Sequence, residues 1–378
     1  MTAMLQDTNV NRPAQLINGP YREVLLLGGM TIGALVAIVT WLALFAWRPC
    51  PTAQGGPRRV ERQSLMLELN ATVTERRSAR MDVWAPSPVA GAAPEQFPLV
   101  LYMAGWGMGR EVGQCEGKFL ASHGFLVVAT DDVMADQAYA DPLDEAARAS
   151  WLDLSSDAAY EQTMTLAPRR ALLAARKLTS MIDTLAQSPG LLRLPQGVRV
   201  ATDRVGIVGF SFGGAAAAEA AILDKRIVAI ANLDGWLFGA AADAVLPAPY
   251  LVFNSGESLP DPAALDGHDR EARYNARLNL AEQHRQATQV AQRADAIRLL
   301  VAGSQHGDFQ SGSAQWRRWL GYLKHWPHRP TPTQVRRILN DHLLAFFTAH
   351  LKLEGSPIPE KSPEAYPHLR RLGARPFE

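Results

Sequence analysis

The chain has 378 residues, 47% of them hydrophobic, with 38 basic against 37 acidic side chains and a formal charge of +1. A balance that close excludes the basic footprint of a nucleic-acid binder, so no nucleic-acid partner is expected. The length admits one large α/β domain with appendages. Two cysteines, Cys50 and Cys115, exclude a disulfide framework, and both read as incidental rather than reactive.

Residues 1–23 are polar and irregular, with Pro13 and Pro20, and read as a disordered tail. Residues 24–47 then run without a charge. As a helix they reach about 36 Å, enough to cross a bilayer. Arg22 and Glu23 bound the run on one side and Arg48 on the other, and Trp41 and Trp47 suit an interface. A signal peptide has a shorter apolar core. A core helix would not be apolar all round ahead of a complete domain. The expectation is one uncleaved transmembrane helix that anchors the chain in the cell membrane by a single pass. Arg12 and Arg22 precede it, while Arg48, Arg58, Arg59 and Arg62 follow it. That count leans toward a cytoplasmic domain. An anchor ahead of an exported domain also fits, so the side stays open. Residues 48–62, rich in proline and glycine, read as a linker.

A catalytic domain is expected over 63–378. Residues 64–69 and 80–84 suit an antiparallel strand pair, with an Asn70-Ala71-Thr72 sequon between them. Strands are predicted at 97–102 and 125–130, with a helix at 119–123 and a glycine-rich loop from Met103 to Arg110. Residues 132–166 form a long acidic insertion, and 168–187 an amphipathic helix. Further strands are expected at 204–210, 227–233, 250–253 and 296–301. A second insertion spans 257–295, helical over 270–293. A proline-rich break at 326–332 precedes a last helix at 333–352. Strands alternating with helices imply an α/β fold, with a mostly parallel central sheet and helices on both faces. Both insertions follow strand ends, where such a sheet carries its site.

The stretch Gly206-Ile207-Val208-Gly209-Phe210-Ser211-Phe212-Gly213-Gly214 is an apolar strand, a sharp Gly-x-Ser-x-Gly turn and the start of an alanine-rich helix. That is the context of a nucleophile elbow. A serine hydroxyl needs a histidine within reach and an acid that fixes the histidine tautomer. Asp234 follows the strand 227–233, and His306 follows the strand 296–301. The order Ser211, Asp234, His306 is that of an α/β-hydrolase. Glu257, at the end of the strand between them, is the rival acid. His268, His284, His325 and His328 lie in insertions or breaks. The two oxyanion donors are expected to be the backbone amides of Phe212 and Trp106. A dinucleotide loop would need glycine at Arg110, and no phosphate-loop, H-E-x-x-H or paired C-x-x-C pattern occurs. Neither a cofactor nor a metal is expected.

The chain resembles the plasma-type platelet-activating-factor acetylhydrolases, a branch of the α/β-hydrolase serine esterases, over residues 64–350. The likeness is carried by Pro98-Leu99-Val100-Leu101-Tyr102 with Gly105-Trp106-Gly107, by Leu120-Ala121-Ser122-His123-Gly124-Phe125, and by the elbow. Asn232-Leu233-Asp234-Gly235-Trp236-Leu237-Phe238 and Gln305-His306-Gly307-Asp308-Phe309 complete it. In that family the acid stands in an L-D-x-W-type motif, which favours Asp234 over Glu257. Where the family reads serine-histidine-glycine, this chain has Met103-Ala104-Gly105. The resemblance implies hydrolysis of short or oxidised acyl groups of phospholipids. The residues alone imply acyl-ester hydrolysis, so a general carboxylesterase or polyester hydrolase is the alternative. A catalytically silent scaffold that binds a partner at the membrane is the reading of another class. No motif encodes acyl length, head group or oligomeric state.

Overall fold

The computed structural model describes residues 33, 50, 55–69, 77–88, 91, 93–136, 139, 145–311, 329–359 and 363–376. The chain divides into two compact units, Met1–Arg48 and Pro49–Glu378, and the fold described is that of the second. The tail at 1–23 and, apart from Gly33, the apolar stretch 24–47 lie outside the described residues, as do the sequon and residues 326–328 of the break. Among the described residues no helix is long and apolar enough to cross a membrane.

Among the described residues nine strands form one sheet. They are β1 (Val60–Leu69), β2 (Arg77–Pro86), β3 (Glu95–Met103), β4 (Leu126–Thr130), β5 (Val198–Phe210), β6 (Ile227–Leu233), β7 (Tyr250–Ser255), β8 (Ala296–Val301) and β9 (Leu369–Leu372). Their order across the sheet is β1-β2-β4-β3-β5-β6-β7-β8-β9. The run from β4 to β8 is parallel, while β1, β2 and β9 add antiparallel edges. The seven helices are α1 (Gln114–Ser122), α2 (Glu145–Ala149), α3 (Asp157–Gln187), α4 (Phe212–Leu223), α5 (Pro262–Leu265), α6 (Arg270–Gln292) and α7 (Pro332–Phe347), counted among the described residues.

Both faces of the sheet are buried, because successive side chains of a strand point to opposite sides. On β3, Leu99, Leu101 and Met103 join the core under α3 and α4. Val100 and Tyr102 join the core under α1 and α7, with Phe346 and Phe347. Each such side chain contributes roughly 1.5–3 kcal/mol when fully buried. A purely alternating strand could not serve both layers, which is why these segments read as unbroken apolar runs.

Three sequence expectations are corrected. Helix α3 starts at Asp157, not at Pro168, which lies inside it. Proline favours a helix start, but the upstream turns have their own support. Ser156 caps the helix by accepting from the Ala159 amide at 3.1 Å. Tyr160 stacks on Tyr274 of α6 with ring centroids 3.9 Å apart, and Met164 packs against Leu154 and Leu278. Strand β9 was not anticipated, since Leu-Arg-Arg-Leu is too short and too charged to signal a strand. The last helix is α-helical only to Phe347 and closes with a π-turn over Thr348–Lys352.

The cysteines are a further correction. Cys50 and Cys115 are not incidental but are joined in a disulfide, and Cys115 lies in the first turn of α1. Two cysteines 65 residues apart carry no spacing signal. Tertiary structure brings them together: the Gly56 amide donates to Ser122 Oγ at 2.7 Å and the Arg58 amide to the Ser122 carbonyl at 3.1 Å. The end of the expected linker is thereby laid along α1, and β1 begins at Val60. Loop-closure arithmetic for 65 residues puts the entropic stabilisation at roughly 4 kcal/mol. Cys115→Ser should lower the thermal midpoint by several degrees, and a reductant should do the same to the unsubstituted protein. Calorimetry that finds either midpoint unmoved would contradict the crosslink.

Candidate active site

The site starts at the turn between β5 and α4. Ser211 has φ 54° and ψ −125°, a conformation that non-glycine residues rarely hold. Its amide donates to the Leu233 carbonyl of β6 at 2.8 Å. The turn can be this tight only because its flanks lack side chains. A Cβ on Gly209 would collide with the backbone of Gly213, and one on Gly213 with the carbonyls of Met103 and Ala104.

The next strand end carries Asp234, again at positive φ (64°). Its amide donates to the Phe253 carbonyl of β7 at 2.8 Å. Asn232 braces the turn by accepting from the Gly235 amide at 2.8 Å and donating to its carbonyl at 2.9 Å. The carboxylate is 1% exposed. Oδ1 accepts from the Ser255 amide at 2.6 Å and from the Ser258 hydroxyl. Oδ2 lies 2.7 Å from His306 Nδ1, and His306 Nε2 lies 3.0 Å from Ser211 Oγ. An ionised carboxylate only accepts, so Nδ1 carries the proton and Nε2 is left to accept from the serine.

His306 opens a short 3₁₀ turn after β8, His306–Phe309. Asp308 accepts from the Gln305 amide at 2.8 Å and pairs with Arg329 at 2.8 Å. Glu257 does not reach the ring nitrogens. Its Oε2 accepts from the backbone amide of His306 at 2.9 Å. Of the two acids weighed from sequence, the fold brings Asp234 to the imidazole and Glu257 to the main chain beside it. Burial pushes the His306 pKa down, but the hydrogen bond and charge of Asp234, joined by the charge of Glu257, hold it above the ordinary histidine value. Burial likewise pushes Asp234 up, and its bonds to His306, Ser258 and Ser255 with the His306 charge more than reverse this.

The loop after β3 brings Trp106 over the elbow, its ring centroid 4.4 Å from that of Phe212. Two residues that sequence reasoning missed fix it. Asp132 accepts from the Gly107 amide at 2.8 Å and pairs with the fully buried Arg170 of α3. Arg170 stacks over Trp106 and Phe212, at 5.0 and 5.6 Å from the ring centroids. It also donates to the Ser150 carbonyl at 3.0 Å, which accepts from Trp106 Nε1 at 2.6 Å as well. Asp132 had a signal, an acid just past the end of β4. Arg170 had none. The Trp106 and Phe212 amides, the expected oxyanion donors, have no acceptor among the described residues.

Ser211 and His306 open into a cavity of about 590 Å³. Trp106, Phe212, Trp236 and Phe238 form its apolar wall, and Glu257, Asp261 and Asn275 its polar side. Among the described residues no cluster of three or more His, Cys, Asp or Glu is arranged to hold a metal ion.

No family model matches the chain. It is similar to platelet-activating factor acetylhydrolases. It is 29% identical over 179 residues to the Bos taurus platelet-activating factor acetylhydrolase and 28% identical over 176 residues to that of Cavia porcellus. Each match covers 43% of this chain and spans 40% of the relative's length. A ferulic acid esterase from Streptomyces cinnamoneus matches in structure at 19% identity and a TM-score of 0.56, over 85% of this chain and 98% of the esterase. That likeness and the mostly parallel, doubly covered sheet fit the α/β-hydrolase fold.

The hydrogen-bond arrangement around His306 yields a direct test. In a Ser211→Ala protein, the imidazole should titrate by NMR above 6.5, its ordinary value. Asp234→Asn keeps the volume and the burial but removes the charge, so the same resonance should then titrate below 6.5. An unmoved titration would mean that Asp234 does not govern the ring.

Proposed function

We propose that this protein is a serine hydrolase that cleaves carboxylic esters through an acyl-enzyme, with short or oxidised acyl groups of phospholipids as its substrates. The continuous chain from Asp234 through His306 to Ser211, open to the cavity, carries the reading. Ser211 Oγ attacks the ester carbonyl while His306 Nε2 takes its proton. Asp234 holds the imidazole in the required tautomer and stabilises its charged form. The Trp106 and Phe212 amides donate to the oxygen that becomes negative. His306 then protonates the departing alkoxide, and water, deprotonated by the same ring, releases the acid and restores Ser211. The names of the two acetylhydrolase relatives support the phospholipid substrate, and the aromatic wall of the cavity suits an acyl chain.

Three variants and one substrate panel test the reading. Ser211→Ala should lower turnover of p-nitrophenyl esters by about 10⁴-fold or more with the fold intact. Asp234→Asn should cost on the order of 10³–10⁴-fold, and Glu257→Gln much less. Full activity in folded Ser211→Ala protein would end the proposal. Turnover of soluble esters with none of short-chain phospholipids would move it to a general carboxylesterase or polyester hydrolase. Failure of a fluorophosphonate to label Ser211 would favour a silent scaffold.

The charge-free run 24–47 supports a single-pass anchor in the cell membrane, with the catalytic domain on the oxidising side. The Cys50–Cys115 disulfide supports that side, because thiol-reducing compartments rarely keep such bonds. The opposing count of basic residues is weaker than it looks. Arg58 pairs with Glu95 and Arg62 with Asp82, so both serve the folded domain. Protein quenched in acid directly from cells should take up maleimide at Cys50 and Cys115 only after reduction. Labelling without reductant would move the domain to the cytoplasm.

A further inference from the structure

We propose that Asn279 of α6 is a positioning residue that couples the turn bearing Asp234 to the loop bearing Glu257 and, through Glu257, to His306. The proposal rests on the reading of Ser211, Asp234 and His306 as catalytic. Helix α6 lies within the second insertion, yet its inner face is polar and buried. Asn279, Glu282, Gln283, Gln286 and Gln289 follow helical spacing and are each under 5% exposed. Buried polar groups persist where their hydrogen bonds are met. Glu282 accepts from the Leu237 amide at 2.9 Å, Gln289 accepts from the Leu246 amide at 3.0 Å, and Gln283 donates to Asn254 Oδ1 at 2.9 Å.

Asn279 differs from these in holding the two loops on either side of His306. Trp236 Nε1, two residues past Asp234, donates to Asn279 Oδ1 at 2.8 Å. Asn279 Nδ2 donates to the Glu257 carbonyl at 2.9 Å and to Asn275 Oδ1 at 3.1 Å. The indole can only donate and the carbonyl can only accept, so the amide has one orientation that satisfies both. Glu257 Oε2 in turn accepts from the His306 amide at 2.9 Å. The path from the acid turn to the histidine loop therefore runs through one buried side chain and three hydrogen bonds. It also fixes Trp236 and Glu257 as two walls of the same cavity.

Among the described residues, the charged groups around His306 are Asp234 on the β6 turn, Glu257 on the β7 loop, Asp308 with Arg329 beside its own turn, and Asp261 in the cavity wall. Strand β5 presents only the Phe210 ring, 5.0 Å from the imidazole. Releasing the Glu257 loop takes a negative charge away from the imidazole. The acid form then loses stabilisation, and its pKa falls.

The test uses the full chain with Asn279→Leu, which keeps the size and loses all three hydrogen bonds. Turnover of a p-nitrophenyl ester is followed against pH, with fluorophosphonate titration to count competent sites. We expect kcat per titrated site to fall between about tenfold and a hundredfold, the scale of a small misplacement of catalytic groups. The acidic limb of kcat/KM should move to lower pH. Glu257→Gln should move the limb the same way with a smaller loss in kcat. A merely structural asparagine would lower the number of titrated sites and leave kcat per site and the limb in place, which would overturn the proposal. If Asn279→Leu does not fold, Asn279→Ala loses the same hydrogen bonds, leaves room for water at the freed partners and carries the same expectation. Wild-type protein that never labels at Ser211 would instead refute the catalytic reading itself.

Discussion

Ser211 is held in a backbone conformation that costs on the order of 1–3 kcal/mol, and the rest of the site depends on its being held there. The restraint comes from how closely α4 approaches the sheet. Ala215, Ala216, Ala217 and Ala218 are fully buried, so the helix packs flush on its strands. Glycines on either side of the turn leave no room for an alternative. Asp234 is a second strained residue, tied to the neighbouring strand by its own amide. Two of the three groups thus stand on rigid turns at adjacent strand ends. His306 stands on an ordinary loop, and side chains do the restraining there: Glu257 on its amide, Asp308 and Arg329 behind its turn.

Much of this was legible in the sequence, for a physical reason. Parallel strands buried on both faces are continuous apolar runs that stop at turns, so β6 and β8 were bounded correctly to the residue. The candidate site follows those stops, which is why Ser211, Asp234 and His306 could be singled out. The resemblance to acetylhydrolases is matched by the relatives found. Choosing between Asp234 and Glu257 needed geometry, because both follow strand ends and only three-dimensional placement tells a ring nitrogen from a backbone amide. The Arg170–Asp132 pair and the Cys50–Cys115 crosslink were illegible for a related reason. Each joins residues far apart in the chain that no local pattern links.

The second insertion shows how composition can mislead about burial. Helix α6 is rich in Asn, Gln, Arg and Glu and reads as a surface element. Its polar side faces inward nonetheless, where each amide or carboxylate meets a main-chain or side-chain partner. The arrangement trades hydrophobic driving force for directional bonds, which fix loops more narrowly than apolar contact does. Loops that hold reacting groups have most to gain from that exchange.

The stack of Tyr160 on Tyr274 has a bearing on how this domain could change over time. It joins the start of α3 to α6, reinforced by the Tyr274 hydroxyl donating to Asp157 at 2.5 Å and by Arg270 at 3.1 Å from the same carboxylate. The two insertions arise from opposite halves of the chain but meet as one body. Exchanged between relatives on its own, either segment would arrive without its matching ring and charge. A library that shuffles them as a pair keeps the stack and its ion pair together.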